Sequence, residues 1–309
     1  MKVYSATYNF PPGFLWGISP DKKFFSDSGI YAYLFELKEN NIQAVSIQIP
    51  WAEFEPLKNN YDEKRIDTVR RLLTRIHSQN IEPVITLDFR EVPNWQNLEK
   101  QSKNKTFIDE RYNFAIHVIN ALATYTNYFI LPLSDKSLTS PKQLQIELQN
   151  HKDIRNYLNS LSENKYVGTA IPSIASIKKR GGIRNLFEHL QLSEIKSMRT
   201  DFLAIHAETV SICEIQSVFG EKKIPLLFLF NDLKGIAQND KAEILMNKLY
   251  DIWQIYQKGW PLIGLFSEIE INSSSEEKIL YANSSKINAF EISTENPNLP
   301  DKWVRFLKD

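Results

Sequence analysis

Acidic and imidazole side chains stand at the ends of several apolar runs of this sequence. Asp88 and His206 each end one run, Asp232 follows a third, and Glu268 lies near the end of a fourth. In parallel α/β proteins the carboxyl ends of the strands face a common site, so Asp88 with Glu268, or His206 with Asp232, could act as general acid and base. The more common interpretation of such residues is a solvated rim charge or a helix N-cap.

Four further residues near the same run ends could bind a ligand. Trp51 and Trp95 lie at or just beyond the ends of two runs, where an aromatic ring could stack on the apolar face of a sugar. Arg90 and Asn231 supply hydrogen-bonding groups at neighbouring positions. Packing in the core explains the two tryptophans equally well, so binding by these residues is a hypothesis.

The histidine spacing favours neither a metal site nor a cofactor site. The chain has five histidines, none in a pattern typical of metal ligands. They are His77, His117, His151, His189 and His206. No nucleotide-binding fingerprint occurs either. We therefore expect no metal and no cofactor.

The apolar runs have the composition of parallel strands that are buried on both faces, being rich in Val, Ile, Leu and Phe. They are Phe14–Ile18, Ala44–Ile49, Pro83–Asp88, Tyr128–Leu133, Tyr166–Ile171, Phe202–His206, Pro225–Asn231 and Ile263–Ile269. Between them apolar residues recur at helical spacing, as in Ile66, Val69, Leu73 and Ile76. Eight strands alternating with helices predict an α/β fold, a single (β/α)8 TIM barrel.

The length of the chain agrees with one barrel. Its 309 residues show no linker-like change in composition, so we predict a single barrel domain over residues 1–309. A short C-terminal extension, at about residues 275–309, follows the eighth strand. The run Ala289–Ile292 could form an extra strand in this extension.

Charge and composition argue against several classes of partner. Lys and Arg number 37, as do Asp and Glu, and this balance disfavours binding to nucleic acid or to an acidic membrane surface. The single cysteine, Cys213, excludes an internal disulfide. No segment resembles a signal peptide or a membrane span, so we expect a cytoplasmic protein whose partner is a carbohydrate or another protein.

Several segments carry a family resemblance. The opening from Phe10 to Gly17, FPPGFLWG, resembles the first strand of glycoside hydrolase family 1, F-P-x-G-F-L-W-G. The stretch from Ala44 to Phe54 is similar to its second strand, and the stretch from Ile81 to Leu87, IEPVITL, is similar to its third. Weaker similarities follow in the same order along the chain. They lie at Thr200–Ile205, Lys223–Asn231 and Gly259–Phe266.

The resemblance implies that the catalytic groups of the family are missing. Members of this family hydrolyse β-glycosides with two glutamates, one as acid/base and one as nucleophile. The acid/base position, at the end of the fourth strand, falls on Leu133, and the nucleophile position, at the end of the seventh, falls on Phe230. Leucine cannot donate a proton and phenylalanine cannot attack an anomeric carbon, so we expect no hydrolysis by the family mechanism.

Two functions remain open on this sequence. The first is a non-catalytic barrel that binds a carbohydrate or a protein partner, and the loss of both glutamates favours it. The second is a redirected glycosidase or transglycosidase that uses relocated acids at the strand ends. A purely structural role in a larger assembly has no positive sequence feature in its support.

Overall fold

A computed structural model describes most of the barrel and part of what surrounds it. The described residues are 2–8, 13–19, 34–35, 37–38, 42–96, 105–134, 141–161, 164–171, 200–206, 223–230, 238–267, 279–284 and 287–294.

Eight strands close into a barrel in which every neighbouring pair is parallel. They are β2 (Leu15–Ile18), β3 (Ala44–Pro50), β4 (Glu82–Asp88), β5 (Tyr128–Pro132), β6 (Tyr166–Ala170), β7 (Phe202–His206), β8 (Leu226–Phe230) and β9 (Leu262–Ser267). Each overlaps one of the eight predicted runs, and β7 has the predicted bounds. The predicted (β/α)8 barrel is confirmed.

Alternation along the strands divides their side chains between the barrel interior and the surrounding helices. The interior cluster takes alternate residues, such as Phe202 and Ala204 from β7, and the residues between them join the cluster that contains the helices. Phe202 fills space beside Gly168, where an added Cβ would lie 2.1 Å from its ring. Phe266 fills space beside Gly17 in the same way, at 2.3 Å. The barrel interior is therefore a packed core and not a pore.

Helices cover the outside of the described wall. They are α1 (Trp51–Phe54), α2 (Glu63–Ser78), α3 (Lys105–Leu122), α4 (Pro141–Leu161) and α5 (Gln238–Gln257).

Helix α2 shows how the sequence sets these elements. The Asp62 carboxylate accepts from the backbone N–H of Arg65 and caps the first turn. The predicted apolar stripe, which includes Leu73, is buried against the barrel. After the helix ends, Asn80 has φ 58°, a left-handed conformation that asparagine tolerates better than most residues.

A separate three-stranded antiparallel sheet joins the two ends of the chain. Its strands are β1 (Lys2–Tyr8), β10 (Ile279–Ser284) and β11 (Ile287–Thr294), with β11 in the centre. The predicted extra strand at Ala289–Ile292 lies within β11 and is confirmed. The sequence analysis missed β1, whose partner in the sheet lies almost 290 residues away along the chain.

Candidate functional site

The carboxyl ends of the barrel strands, which we call the mouth of the barrel, carry a polar group on β3 and β4. Gln48 and Asp88 continue the inward series that starts at Ala44 and Val84, so both face the inside of the barrel at its mouth. Arg90, two residues beyond Asp88, lies over them. The polar group therefore combines residues from two neighbouring strands and the loop after β4.

Hydrogen bonds fix the geometry of this group. Both Asp88 oxygens accept from Arg90: Nη2 lies 2.7 Å from Oδ2, and Nε lies 3.0 Å from Oδ1. The backbone N–H of Arg90 also donates to Oδ1, at 2.9 Å. Nη2 donates in addition to Oε1 of Gln48, at 3.1 Å. Asp88 and Arg90 form what we call the mouth pair, in which the carboxylate orients the guanidinium.

The two partners of the mouth pair differ in exposure. The side chain of Arg90 is 75% exposed, whereas that of Asp88 is 11% exposed. Deeper in the barrel, the hydroxyls of Ser46 and Thr86 lie 3.0 Å apart and extend the polar strip along the same two strands. The exposed guanidinium is therefore the part of this strip that a ligand in the mouth can reach.

At the end of β5, Ile130 belongs to the interior cluster, so by alternation Pro132 faces the barrel interior and Leu133 faces the surrounding helices. Leu133 is 5% exposed, and its side chain belongs to the cluster that includes the helices. Its backbone N–H donates to the carbonyl of Ala170 at 2.9 Å, which extends the β5–β6 ladder by one residue. This is the position on which the family resemblance places the acid/base glutamate.

A second arginine–carboxylate pair lies outside the barrel, beside the end of β5. It joins Arg111 on α3 to Glu147 on α4, and we call it the wall pair. Nη1 of Arg111 lies 2.7 Å from Oε1 of Glu147, and the two side chains are 7% and 6% exposed. Glu147 also accepts from the backbone N–H and the hydroxyl of Ser134, at 2.9 and 2.7 Å. Arg111 donates to the carbonyl of Pro132. The wall pair therefore holds the backbone on both sides of Leu133.

Two further contacts complete the surroundings of the wall pair. The guanidinium carbon of Arg111 lies 4.2 Å from the ring centre of Phe89, a cation–π contact. His151, one turn after Glu147, places Nδ1 3.0 Å from the hydroxyl of Thr169. Burial lowers the pKa of His151 to about 4, against the opposing attraction of Glu147. The imidazole is therefore neutral at ordinary pH.

A small cavity between α3 and α4 lies beside these residues. It is lined by Arg111, Glu147 and His151 together with apolar side chains such as Leu131. Its volume of about 20 Å³ holds roughly one water molecule, too little for a sugar ring. We therefore place the candidate ligand site at the mouth and not in this cavity.

Both predicted tryptophans donate a hydrogen bond to Glu55. Nε1 of Trp51 donates to Oε2 of Glu55 at 2.7 Å, and Nε1 of Trp95 donates to the Glu55 carbonyl at 2.9 Å. Trp51 is fully buried, so stacking on a sugar would require its ring to be uncovered. Trp95 is half-buried, packs edge-on against Trp51, and has Lys58 Nζ 5.9 Å from its ring centre. Of the two, Trp95 is the ring that a ligand can reach.

The other predicted site residues divide into two groups. His206 is half-buried and ends β7 in the inward series of Phe202 and Ala204, so it lies at the mouth as expected. Phe230 is the last residue of β8, and its side chain lies outside the described part of the structure. The remaining three predictions also lie outside the described residues. They are Asn231, Asp232 and Glu268.

The wall pair and Glu55 were missed by the sequence analysis. One signal for Arg111 was present, because it stands at helical spacing from the apolar residues Ile108 and Ala115. A charged residue on an apolar helix face requires a buried partner. The sequence could have indicated that such a partner exists, but not that it is Glu147.

Two searches of the described part of the chain were negative. No group of three His, Cys, Asp or Glu side chains there could hold a metal ion. Likewise, none of the helices in that part combines the length and the apolar character that crossing a bilayer requires.

Solved structures of similar fold include β-glycosidases. The chain matches a β-glycosidase, BGL167, with TM-score 0.63 and 12% identity over 84% of this chain and 87% of that one. It matches the AHE enzyme from Alicyclobacillus herbarius with TM-score 0.61 and 14% identity over 85% and 89%. For a family 1 β-glucosidase from Thermotoga maritima the TM-score is 0.59, with 13% identity over 84% and 89%.

This chain has the fold of the family 1 β-glucosidases. No protein-family model and no curated protein matches its sequence. At 12–14% identity, likeness to the solved structures establishes the barrel and its strand order, and the chemistry of the mouth has to be argued from the residues of this chain.

Proposed function

We propose that this chain is a non-catalytic barrel that binds a ligand at its mouth, a carbohydrate or else a protein partner, and does not hydrolyse glycosides by the retaining mechanism. The observation that carries the proposal is the end of β5, where neither the inward-facing Pro132 nor the buried Leu133 after it carries a carboxyl group. A retaining glycosidase needs a carboxyl group that donates a proton to the leaving oxygen. At the position that the family resemblance assigns to this group, this chain has Leu133, a buried hydrocarbon side chain.

The remaining acids of the described mouth give further support. Among the described inward positions at the strand ends, Asp88 is the carboxylate, and both of its oxygens accept from Arg90. A carboxylate committed to a guanidinium is poorly suited to act as a proton donor, because the cation stabilises the ionised form. The retaining mechanism needs two carboxyl groups about 5 Å apart with separate roles.

Carbohydrate is favoured over a protein partner by the groups at the mouth. Arg90 and Gln48 offer hydrogen-bonding groups in a fixed arrangement, and Trp95, five residues after Arg90 in the chain, offers a partly exposed ring. Sugar sites combine polar groups that fix orientation with an aromatic face. The similar solved structures include proteins described as β-glycosidases, which supports a carbohydrate over a protein partner.

The first experiment measures hydrolysis of aryl β-glucosides and β-galactosides at high protein concentration, with a family 1 β-glucosidase as positive control. We expect no release of the aryl group above the buffer rate. The redirected-enzyme alternative predicts turnover that is lost in Asp88→Asn or in Glu268→Gln. Turnover lost in either variant would overturn the non-catalytic proposal.

The second experiment measures binding of the purified full chain to an oligosaccharide array. We expect binding to at least one sugar and a weaker signal for Trp95→Ala. The matched control is Trp253→Phe on α5, where the tryptophan stacks on Tyr250 of the same helix. A blank array would contradict carbohydrate binding and would leave the protein partner as the remaining version of the proposal.

A further inference from the structure

We propose that the wall pair positions the mouth of the barrel, with Arg111 as a positioning residue for the ligand that binds there. Arg111 lies outside the barrel and contacts the two chain segments at the mouth ends of β4 and β5. The inference rests on the proposed function, because it concerns how the same mouth is kept in its binding geometry.

The pairing of the barrel strands shows where the mouth needs support. Strands β3 and β4 are paired as far as Pro50 with Asp88, at the mouth. Between β4 and β5 the pairing ends earlier, at Thr86 with Ile130, although both strands are described beyond these residues. The mouth ends of β4 and β5 are therefore not joined by ladder pairs.

Arg111 contacts the β4 side through Phe89. Its guanidinium carbon lies 4.2 Å from the ring centre of Phe89, and this ring also packs edge-on against Trp51 and Phe114. Phe89 stands in the chain between the two members of the mouth pair. A shift of its ring therefore moves the backbone that carries both of them.

The wall pair contacts the β5 side through the backbone. Nη2 of Arg111 donates to the carbonyl of Pro132 at 3.2 Å, and Glu147 accepts from the backbone N–H of Ser134 at 2.9 Å. Pro132 is the inward-facing residue at the end of β5. One buried ion pair therefore holds the mouth ends of both strands, where ladder pairs do not.

The small cavity beside the wall pair gives Phe89 room to move when this contact is lost. Phe89 and Arg111 both line the cavity, whose volume is about 20 Å³. A shorter side chain in place of Arg111 would enlarge this space beside the ring that the guanidinium contacts in the wild type. Surrounding side chains relax partly into such space, so we expect the ring of Phe89 to shift.

Arg111→Lys separates positioning from stability. Lysine keeps a positive charge opposite Glu147, so the buried carboxylate is not left without a cation. It lacks the planar guanidinium that both stacks on Phe89 and donates to Pro132. Phe89→Leu removes the same ring contact from the other side and leaves the wall pair in place.

The first readout needs no ligand. Nitrogen–proton NMR spectra of the full chain report the backbone N–H and the Nε–H of Arg90, which both donate to Asp88 in the wild type. We expect both resonances to shift in Arg111→Lys and in Phe89→Leu, because the backbone between Asp88 and Arg90 moves. The amide resonances of β8 and β9 should not shift.

The matched control is Arg155→Lys. Arg155 on α4 forms an ion pair with Asp201, with Nη2 2.6 Å from Oδ1, and Asp201 accepts from the backbone N–H of Val167 at 2.9 Å. This ion pair lies where β6 and β7 begin, at the opposite end of the barrel from the mouth. Arg155→Lys should therefore leave the Arg90 resonances unchanged, whatever its effect on the stability of the fold.

The second readout is the affinity for sugar, measured by calorimetry with cellobiose, gentiobiose and lactose. For the disaccharide that wild-type protein binds most tightly, Arg111→Lys should weaken binding about tenfold. A loss of this size is within the range for residues that act on a site without touching its ligand. Arg155→Lys should bind the same disaccharide as wild type does.

The outcomes separate the two proposals. Arg90 resonances that stay in place in Arg111→Lys and Phe89→Leu, or that shift equally in Arg155→Lys, overturn positioning by the wall pair whether or not a sugar binds. Sugar binding that is unchanged in Arg111→Lys overturns it as well. Shifted Arg90 resonances in a protein that binds none of the sugars support the positioning and contradict carbohydrate as the ligand.

Discussion

Two arginine–carboxylate pairs in this chain share the same shortest contact distance but differ in their exposure to solvent. The mouth pair and the wall pair each join a guanidinium nitrogen to a carboxylate oxygen at 2.7 Å. In the mouth pair the arginine is 75% exposed, whereas both members of the wall pair are less than a tenth exposed. The contact distance therefore does not indicate how much either pair contributes to the free energy of unfolding.

Exposure to solvent determines how much each pair contributes to the stability of the fold. In the mouth pair the carboxylate of Asp88 is only 11% exposed, but the guanidinium of Arg90 stays in water, so we expect the pair to behave like an exposed ion pair, which contributes about 0–1 kcal/mol. The charges of a buried pair have lost their hydration. Removing one partner therefore leaves the other charge uncompensated in a low-dielectric environment. We therefore expect the wall pair to matter for stability at the end of β5, and the mouth pair to contribute much less to it.

The largest expected effect comes from breaking the wall pair. Arg111→Met should lower the free energy of unfolding by about 3–5 kcal/mol, because Glu147 is left buried without its cation. Urea denaturation followed by circular dichroism measures the change. The double variant Arg111→Met with Glu147→Met should recover much of the loss, since two apolar side chains replace the two charges.

The mouth pair provides the matched control for this experiment. Arg90→Met should lower the free energy of unfolding by no more than about 1 kcal/mol. Equal losses in Arg90→Met and Arg111→Met would contradict the contrast between the two pairs. Failure of the double variant to recover stability would instead assign the loss to the other contacts of the pair, which are the packing of Arg111 on Phe89 and the hydrogen bonds from Ser134 to Glu147.

A pH titration gives the next largest effect, through His151 beside the wall pair. The unfolded chain takes up the imidazole proton near pH 6.5, whereas burial lowers the pKa in the fold to about 4. Between these values the unfolded chain binds more protons, so the free energy of unfolding falls as the pH decreases. The loss attributable to this group is on the order of 3 kcal/mol and is absent above pH 6.5.

His151→Gln isolates this contribution, because glutamine can still bond the hydroxyl of Thr169 but does not titrate in this range. Denaturation midpoints of the variant should depend less on pH between 4 and 6.5 than those of the wild type. Parallel pH curves for the two proteins would show that His151 is not the group responsible.

The strands could be predicted because their local composition encodes their burial. The run Phe202–His206 has the predicted bounds, since a parallel strand buried on both faces is apolar at nearly every position. By contrast, each residue of β1 lies 280 to 292 residues from its partner in β11. No local pattern identifies such a partner, and the sequence analysis did not predict the strand.

The candidate site could be predicted only in part, for a related reason. Asp88, Arg90 and His206 were placed at the mouth because the end of a strand is a local feature. The burial of Trp51 depends on Glu55 and on aromatic neighbours from distant segments, so the strand end alone did not reveal it. Arg111 and Glu147 are 36 residues apart and meet only when α3 and α4 pack side by side.

The smallest expected effect is a small loss of stability in Asp88→Asn, and its dependence on salt tests the contrast between the two pairs. Asp88→Asn should lower the free energy of unfolding by about 1 kcal/mol or less, because the asparagine oxygen can still accept from the backbone N–H of Arg90. The difference in stability between this variant and wild type should shrink in 1 M NaCl, where screening acts over about 3 Å. The loss of stability in Arg111→Met should persist at the same salt concentration, because salt does not reach the buried wall pair. A salt-sensitive loss in Arg111→Met would mean that water enters the wall, and the contrast between exposed and buried pairs would then fail.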